Sequence, residues 1–368
     1  MSQHAVYMAR AIALAKQGLY STAPNPRVGC VLVKDGRIVG EGFHVRAGEG
    51  HAEVNALRAA AEQARGATAY VTLEPCSHFG RTPPCADGLI NAGVSEVICA
   101  MQDPNPLVAG NGFNKLRAAG ITVHSGVLEE QARALNPGFI KRMQTGLPFV
   151  RIKMASSLDG RTAMQSGESQ WITGPAARAD VQKLRARSSA IISGVDSVLL
   201  DDPALTVRAV ELKLSAEEAA PAQQPLRVVL DSQGRMPASA KLLDQPGQTL
   251  LVGIVGREYA PIANAERICL AADANGRVDL NALLLELAKR QCNEVLVETG
   301  ATLAGAFIDA GLCDEIVHYQ APCLMGSAAL PVFALPFTKM AERLLLDIQD
   351  VRQVGTDVRF TYRIKKSD

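Results

Sequence analysis

The chain has 368 residues, enough for about two domains of ordinary size. Its 38 Lys and Arg against 37 Asp and Glu leave a net charge of +1, and aromatics are only 4%, which argues against a dedicated nucleic-acid binder. A hydrophobic fraction of 48% with 20% charged residues suits packed cores, and no apolar run reaches the roughly 18 residues of a membrane span.

The opening MSQHAVYMARAIALAKQGLY carries Arg10 and Lys16 within an apolar pattern, so it reads as an amphipathic helix rather than a signal peptide. VGCVLV and IVGEGF flank Asp35-Gly36, a strong hairpin signal. HAEVNALRAAAEQAR has helical spacing. Then follow ATAYVTL (strand), PCADGLINAG (helix ended by Gly93), VSEVICAM (strand), FNKLRAAG (helix ended by Gly120) and ITVHSG (strand). Strands separated by short helices predict parallel pairing, with the hairpin adding one antiparallel pair. MQTGLPF, with Gly146 and Pro148, breaks the preceding helical stretch and marks a boundary, giving domains 1–146 and 147–368.

The second half restarts the pattern with strand FVRIKMA, helix PAARADVQKLRAR and strands AIISGV, LRVVLD and TLLVGIV. Helix NALLLELAKRQ, strand EVLVE, helix TLAGAFIDAG and strand EIVHYQAP follow, and VRQVGTDVRFTYRIK closes the chain as two strands around Gly355. The expected fold class is α/β in two domains, the second ending in antiparallel strands. AVELKLSAEEAAPAQQP has no buried face and is expected to be an exposed excursion.

Eight cysteines spread over the chain do not make the disulfide framework of a small secreted domain, and a cytoplasmic protein is the default. Cys30, Cys99, Cys269, Cys292, Cys313 and Cys323 lie in apolar company, whereas Cys76 and Cys85 sit in a polar, Pro-rich loop. With His51 they offer one imidazole and two thiolates, three ligands for a tetrahedral zinc with the fourth position open. Cys85 follows two prolines at a helix start, where the dipole favours the thiolate. Two thiolates neutralise the ion and weaken its effect on water. A carboxylate must therefore take the proton and return it to a departing amine, and Glu53, in the same helix turn as His51, is placed for that role.

His51-Ala52-Glu53 followed by Pro75-Cys76 and Cys85 resembles the zinc-dependent nucleoside and nucleobase deaminases. The cysteine spacing departs from the usual two intervening residues, and the insert SHFGRTPP is similar to that of the riboflavin-biosynthesis deaminases, as are Pro24-Asn25-Pro26, Gly42-Phe43-His44 and Asp103-Pro104-Asn105-Pro106. The resemblance implies a cytidine-deaminase-like α/β/α domain holding one Zn2+, with Asn25, His44, His78 and Arg81 as substrate contacts.

In the second half no G-x-G-x-x-G fingerprint occurs; the nearest feature is Gly300-Ala301-Thr302-Leu303-Ala304-Gly305, between strand EVLVE and a helix. ASSLDGR from Ala155, GESQWIT from Gly167, DDPALTVR from Asp201 and Glu298-Thr299-Gly300 resemble the reductase domain of the bifunctional riboflavin-biosynthesis family, which is dihydrofolate-reductase-like. That resemblance implies NADPH/NADP contacts at Ala155, Trp171, Ser197, Asp201, Ser232, Gly300, Ala301, Thr302, Leu303, Ala304, Gly305 and Ala306. It implies substrate contacts at Ser169, Arg185, Leu205, Arg208 and Glu298, the two arginines suiting a phosphate as planar forks. No acid or base stands out there, so hydride transfer is expected to rest on positioning.

The implied chemistry is hydrolytic deamination of 2,5-diamino-6-ribosylamino-4(3H)-pyrimidinone 5′-phosphate, then NADPH-dependent reduction of its ribosyl group to ribityl. The expected partner is that small phosphorylated aminopyrimidine, with no nucleic acid and no membrane; a homo-oligomer, dimer or tetramer, is also expected. Two other classes stay open: a nucleic-acid-editing deaminase with an appended domain, and a non-catalytic zinc module that regulates. The near-zero charge opposes the first, and the second needs a fourth protein ligand that the spacing does not supply.

Overall fold

The computed structural model describes residues 2–77, 83–212 and 224–365. The chain divides into two compact units, Met1–Leu147 and Pro148–Asp368.

In the first unit, helix α1 (Gln3–Ala15) leads to the hairpin of β1 (Gly29–Lys34) and β2 (Arg37–Phe43), whose turn residues Asp35 and Gly36 take φ of 50° and 72°. Those left-handed values match the twist of the flanking strands. There follow α2 (Ala52–Ala60), β3 (Thr68–Val71), α3 (Cys85–Asn91), β4 (Glu96–Cys99), α4 (Asn111–Ala118), β5 (Thr122–Ser125), α5 (Glu129–Leu135) and α6 (Pro137–Thr145). The sheet order is β2-β1-β3-β4-β5. Strands β3, β4 and β5 are parallel, but β1 runs antiparallel to both β2 and β3, so the hairpin brings two antiparallel pairs where one is expected.

Helix α2 lies unusually close to the hairpin. Its buried Ala52, Ala56 and Ala60 recur every four residues and face Gly40 and Gly42 of β2. A Cβ at Gly40 would stand 2.4 Å from the Ala56 carbonyl oxygen, and one at Gly42 2.5 Å from that of Ala52. Small residues on both surfaces thus bring the first turn of α2, which carries His51 and Glu53, against the sheet.

The second unit contains β6 (Phe149–Ser156), β7 (Arg161–Ala163), α7 (Pro175–Ala186), β8 (Ala190–Gly194), α8 (Val195–Asp201), α9 (Ala209–Leu212), β9 (Leu226–Leu230), β10 (Thr249–Ile254) and β11 (Glu266–Leu270). After them come α10 (Leu280–Lys289), β12 (Glu294–Glu298), α11 (Ala301–Asp309), β13 (Glu315–Gln320), β14 (Leu330–Pro331), β15 (Leu346–Val354) and β16 (Asp357–Ile364). Its nine-stranded sheet has the order β11-β10-β9-β8-β12-β6-β13-β16-β15. Every pair from β11 to β13 is parallel, and β16 and β15 close one side as the expected antiparallel pair. Strand β11 escapes sequence reading because this edge segment lacks a buried alternating face.

The central strands β12 and β6 are buried on both faces, and they hold Arg151 against Glu294 at 3.1 Å and against Glu315. Most of the segment read as an exposed excursion lies outside the described residues; its start forms α9. Cys269 and Cys323 are exposed, contrary to their apolar neighbours in sequence.

Each unit has its own buried clusters: Met8, Ile12, Val31 and Ile98 in the first, Val181, Ile191, Leu251 and Leu296 in the second. Residues 1–146 and 147–368 are therefore proposed as independently folding domains. Expressed separately, each should give its own cooperative melting transition; two aggregating fragments beside a well-behaved full chain would contradict this.

Candidate active sites

His51 is the N-cap of α2, with an extended backbone (φ −70°, ψ 170°) that turns its imidazole back across the helix end. Cys85 opens α3 directly after Pro84, and Cys76 lies on the loop after β3. The three side chains converge: His51 Nδ1 is 3.2 Å from Cys85 Sγ and 3.7 Å from Cys76 Sγ, and all three donor atoms lie within 4.8 Å of one another. A tetrahedral zinc bonded at about 2.0–2.3 Å sets its ligand atoms about 3.5–3.8 Å apart, so the trio fits that ion.

The main-chain N–H of Cys85 donates to Cys76 Sγ at 3.3 Å. Hydrogen bonds from Cys85 and His51 pull the Cys76 thiol down to about 4, against the opposing effect of burial. The same bond, with burial, pushes Cys85 up. Glu53 is buried in the same turn, and burial, reinforced by the Cys76 charge, raises its carboxyl to about 7. A carboxyl poised near neutrality suits a group that must both take and return a proton.

Beside the trio, His44 and Asn25, both expected as substrate contacts, form a pair. His44 stands edge-on to the His51 ring, with centroids 5.2 Å apart. His44 Nδ1 lies 3.2 Å from the Gly50 carbonyl, which can only accept, so Nδ1 carries the proton and Nε2 accepts from Asn25 Nδ2 at 3.1 Å. Burial lowers the His44 pKa and keeps the ring neutral. The Asn25 amide is thereby oriented. Asn55, which sequence reading passes over, donates to the Phe43 and Gly50 carbonyls at 2.9 and 3.3 Å and fixes the loop that leads to His51. His78 and Arg81 lie outside the described residues.

In the second unit the expected residues gather at the C-terminal ends of the parallel strands, where open α/β sheets bind ligands. Ala155 is the next-to-last residue of β6, Glu298 ends β12, Gly300 caps α11, and Ser232 follows β9. Ser232 Oγ accepts the Val278 N–H at 3.1 Å. Ser169 Oγ donates to Asp201 at 2.8 Å, joining the loop after β7 to the end of α8, which also carries Ser197. Trp171 is 69% exposed, its ring covered by the Arg178 guanidinium at 4.7 Å, so it is a surface wall and not core.

Several of the expected contacts are already engaged within the chain. Arg185 does not offer a free fork: it donates to both Glu298 oxygens at 2.7 and 2.8 Å and to the Thr206 carbonyl at 2.9 Å. It orients Glu298, whose carboxyl burial would push up but whose ion pair with Arg185, with the nearby charge of Lys153, holds below the usual range. Leu205, with φ of 47°, turns its side chain into the core, leaving its main chain for any ligand contact. Ala304 and Gly305 are also packed away, a Cβ at Gly305 standing 2.0 Å from the Ala334 carbonyl oxygen. Of the expected stretch, Gly300 and Thr302 are exposed and Ala301, Leu303 and Ala306 half-buried. Arg208 keeps an exposed fork, held among the described residues by Glu211 at 2.5 and 2.9 Å.

One functional candidate was missed. Lys153, on β6 opposite Glu298 in register, sits in the electrostatic field of Glu298, Asp201 and Arg185. Burial lowers its pKa. The signal was Arg151 and Lys153 alternating with Val150, Ile152 and Met154 in a strand otherwise apolar enough for the sheet centre.

Residues 1–101 match the family described as the cytidine and deoxycytidylate deaminase zinc-binding region, and residues 148–360 match the RibD C-terminal domain. The chain is therefore a zinc deaminase and a reductase in one. Riboflavin biosynthesis protein RibD of Escherichia coli (strain K12) is 52% identical over 362 residues, spanning 97% of this chain and 98% of that one. Its Haemophilus influenzae counterpart is 51% identical over 369 residues, spanning 99% and 98%. Among solved structures, Acinetobacter baumannii RibD superposes with a TM-score of 0.92 at 49% identity, covering 99% of both chains. A Thermotoga maritima deaminase/reductase superposes with a TM-score of 0.87 at 35% identity, again over 99% of both. The chain belongs to the RibD family, the bifunctional deaminase/reductases of riboflavin biosynthesis, and zinc and NADPH are its cofactors.

Proposed function

We propose that the first unit hydrolyses the amine from 2,5-diamino-6-ribosylamino-4(3H)-pyrimidinone 5′-phosphate and that the second reduces the ribosyl group of the product to ribityl. The observation that carries this reading is a buried Glu53 beside, and not among, three converging zinc ligands, His51, Cys76 and Cys85. The name of the Thermotoga maritima relative, a diaminohydroxyphosphoribosylaminopyrimidine deaminase and 5-amino-6-(5-phosphoribosylamino)uracil reductase, supports the substrate class.

Zinc, when bound, supplies a Lewis acid that makes water easier to deprotonate. Glu53 takes that proton on its carboxylate as the carbon–oxygen bond forms and passes it to the ring nitrogen whose double bond to that carbon opens; it then moves the proton of the new hydroxyl to the amine nitrogen as the carbonyl forms, the carbon–nitrogen bond breaks and ammonia leaves. Asn25, turned by neutral His44, presents Oδ1 as an acceptor for an N–H of the base. In the second unit NADPH, when bound, supplies hydride. Reduction of the ribosyl group then needs one proton on the oxygen that leaves the ring, and Lys153 Nζ supplies it, its acidity raised by burial. The Arg208 fork exchanges its exposed bond to Glu211, worth little in water, for the substrate phosphate. The first turn of α11 and the loop bearing Trp171 serve the cofactor.

Eight cysteines, none of them in a disulfide among the described residues, support a cytoplasmic location. The β15 edge, with Leu346, Ile348 and Val351 exposed, supports self-association as a dimer or tetramer. In an assay of the zinc-loaded chain with the aminopyrimidine phosphate and NADPH, ammonia should appear first and NADPH loss should follow mole for mole. Oxidation of NADPH without ammonia release would contradict the proposed order.

A further inference from the structure

Glu74 is buried two residues before Cys76, and its carboxylate accepts four main-chain N–H groups. Oε2 takes those of Asp103 at 3.1 Å and Gly110 at 3.0 Å; Oε1 takes those of Gly112 at 2.9 Å and Phe113 at 3.3 Å. One side chain thus gathers the loop after β4 and the start of α4 around the loop after β3. The Glu74 main-chain N–H adds a bond to the Met101 carbonyl at 3.0 Å. Gly112 completes the fit: a Cβ there would stand 2.0 Å from the Pro75 carbonyl oxygen.

Between this clamp and Cys76 lies only Pro75, whose ring fixes φ. On the other side, Cys76 is held from the first turn of α3, its carbonyl accepting Ala86 N–H at 3.1 Å and its sulfur accepting Cys85 N–H at 3.3 Å. We infer that Glu74 is a positioning residue for the zinc centre, its carboxylate setting the main chain from which Cys76 reaches the metal. This rests on Cys76 being a ligand. The clamp does not touch the metal, and its effect passes through the rigid Glu74-Pro75-Cys76 link.

Glu74→Gln keeps the volume but puts an NH2 group against two main-chain N–H donors. In the full-length chain this variant should remain folded by circular dichroism and reduce pre-deaminated substrate normally. Its zinc affinity, measured by chelator competition, should fall about tenfold or more, the scale seen when groups that orient metal ligands are lost. Cobalt(II) bound in place of zinc should show altered thiolate charge-transfer and ligand-field absorption, which a general loss of stability would not produce. Gly112→Ala pushes on Pro75 with the carboxylate intact and should give the same signs more weakly. A folded Glu74→Gln with wild-type zinc affinity and cobalt spectrum would overturn the inference. Unfolding of both variants would also overturn it, by making the clamp a requirement of the whole fold. Cys76→Ser separates the two readings: if it keeps zinc, the ligand assignment itself fails, whereas if it loses zinc and Glu74→Gln does not, only the role of Glu74 falls.

Discussion

Glu53→Gln should lose deamination by about 10²–10⁴-fold or more while keeping its zinc and its reductase activity. General acid–base catalysis is commonly worth that range, and here one carboxylate serves both water activation and amine departure. Glutamine preserves size and most hydrogen bonding, so His51, Cys76 and Cys85 keep their places. The residues proposed for reduction of pre-deaminated substrate, Lys153, Glu298 and the NADPH contacts, all lie in the other unit. The three measurements separate the possibilities. Loss of zinc would make Glu53 a ligand, retained deamination would make it a bystander, and loss of reduction would couple the two sites.

Cys76→Ser and Cys85→Ser carry the second large expected effect. Each should lose most bound zinc and with it all measurable deamination, because a hydroxyl is a far poorer zinc ligand than a thiolate. Cys76 is the thiol that hydrogen bonds already draw toward the thiolate form, so its replacement also removes the charge that raises the Glu53 pKa. Metal analysis of the purified variants checks this, and stoichiometric zinc in both would mean that other residues hold the ion.

What could be read from sequence was what chemistry writes locally. The Asp35-Gly36 turn, the His51-Ala52-Glu53 helix start and the Pro84-Cys85 helix start each depend on a few consecutive residues, and each stands where its motif puts it. The partners of Glu74 lie 29 to 39 residues away, and those of Arg185 and Glu298 lie 113 residues apart, so no local pattern announces them. Arg185 illustrates the consequence. A basic side chain in a helix suggests a phosphate contact until folding brings a buried carboxylate to it. Lys153 was hidden differently, by a strand whose apolar neighbours drew attention from the two cations between them. The β1–β3 pair was also beyond sequence reading: the crossover through α2 sets β2 and β3 running the same way, but only the packed sheet puts β1 between them, antiparallel to both.

The zinc X-ray absorption spectrum of the full-length chain tests the assignment of the metal centre most directly. The expected spectrum contains two sulfur neighbours per zinc at about 2.3 Å and two lighter neighbours at about 2.0–2.1 Å, one of them the His51 nitrogen. It should be unchanged in Glu53→Gln, because that carboxylate stands outside the coordination sphere. A site with four sulfurs or with none, or one that loses a light neighbour when Glu53 is replaced, would contradict a centre built from His51, Cys76 and Cys85 with Glu53 as its proton carrier.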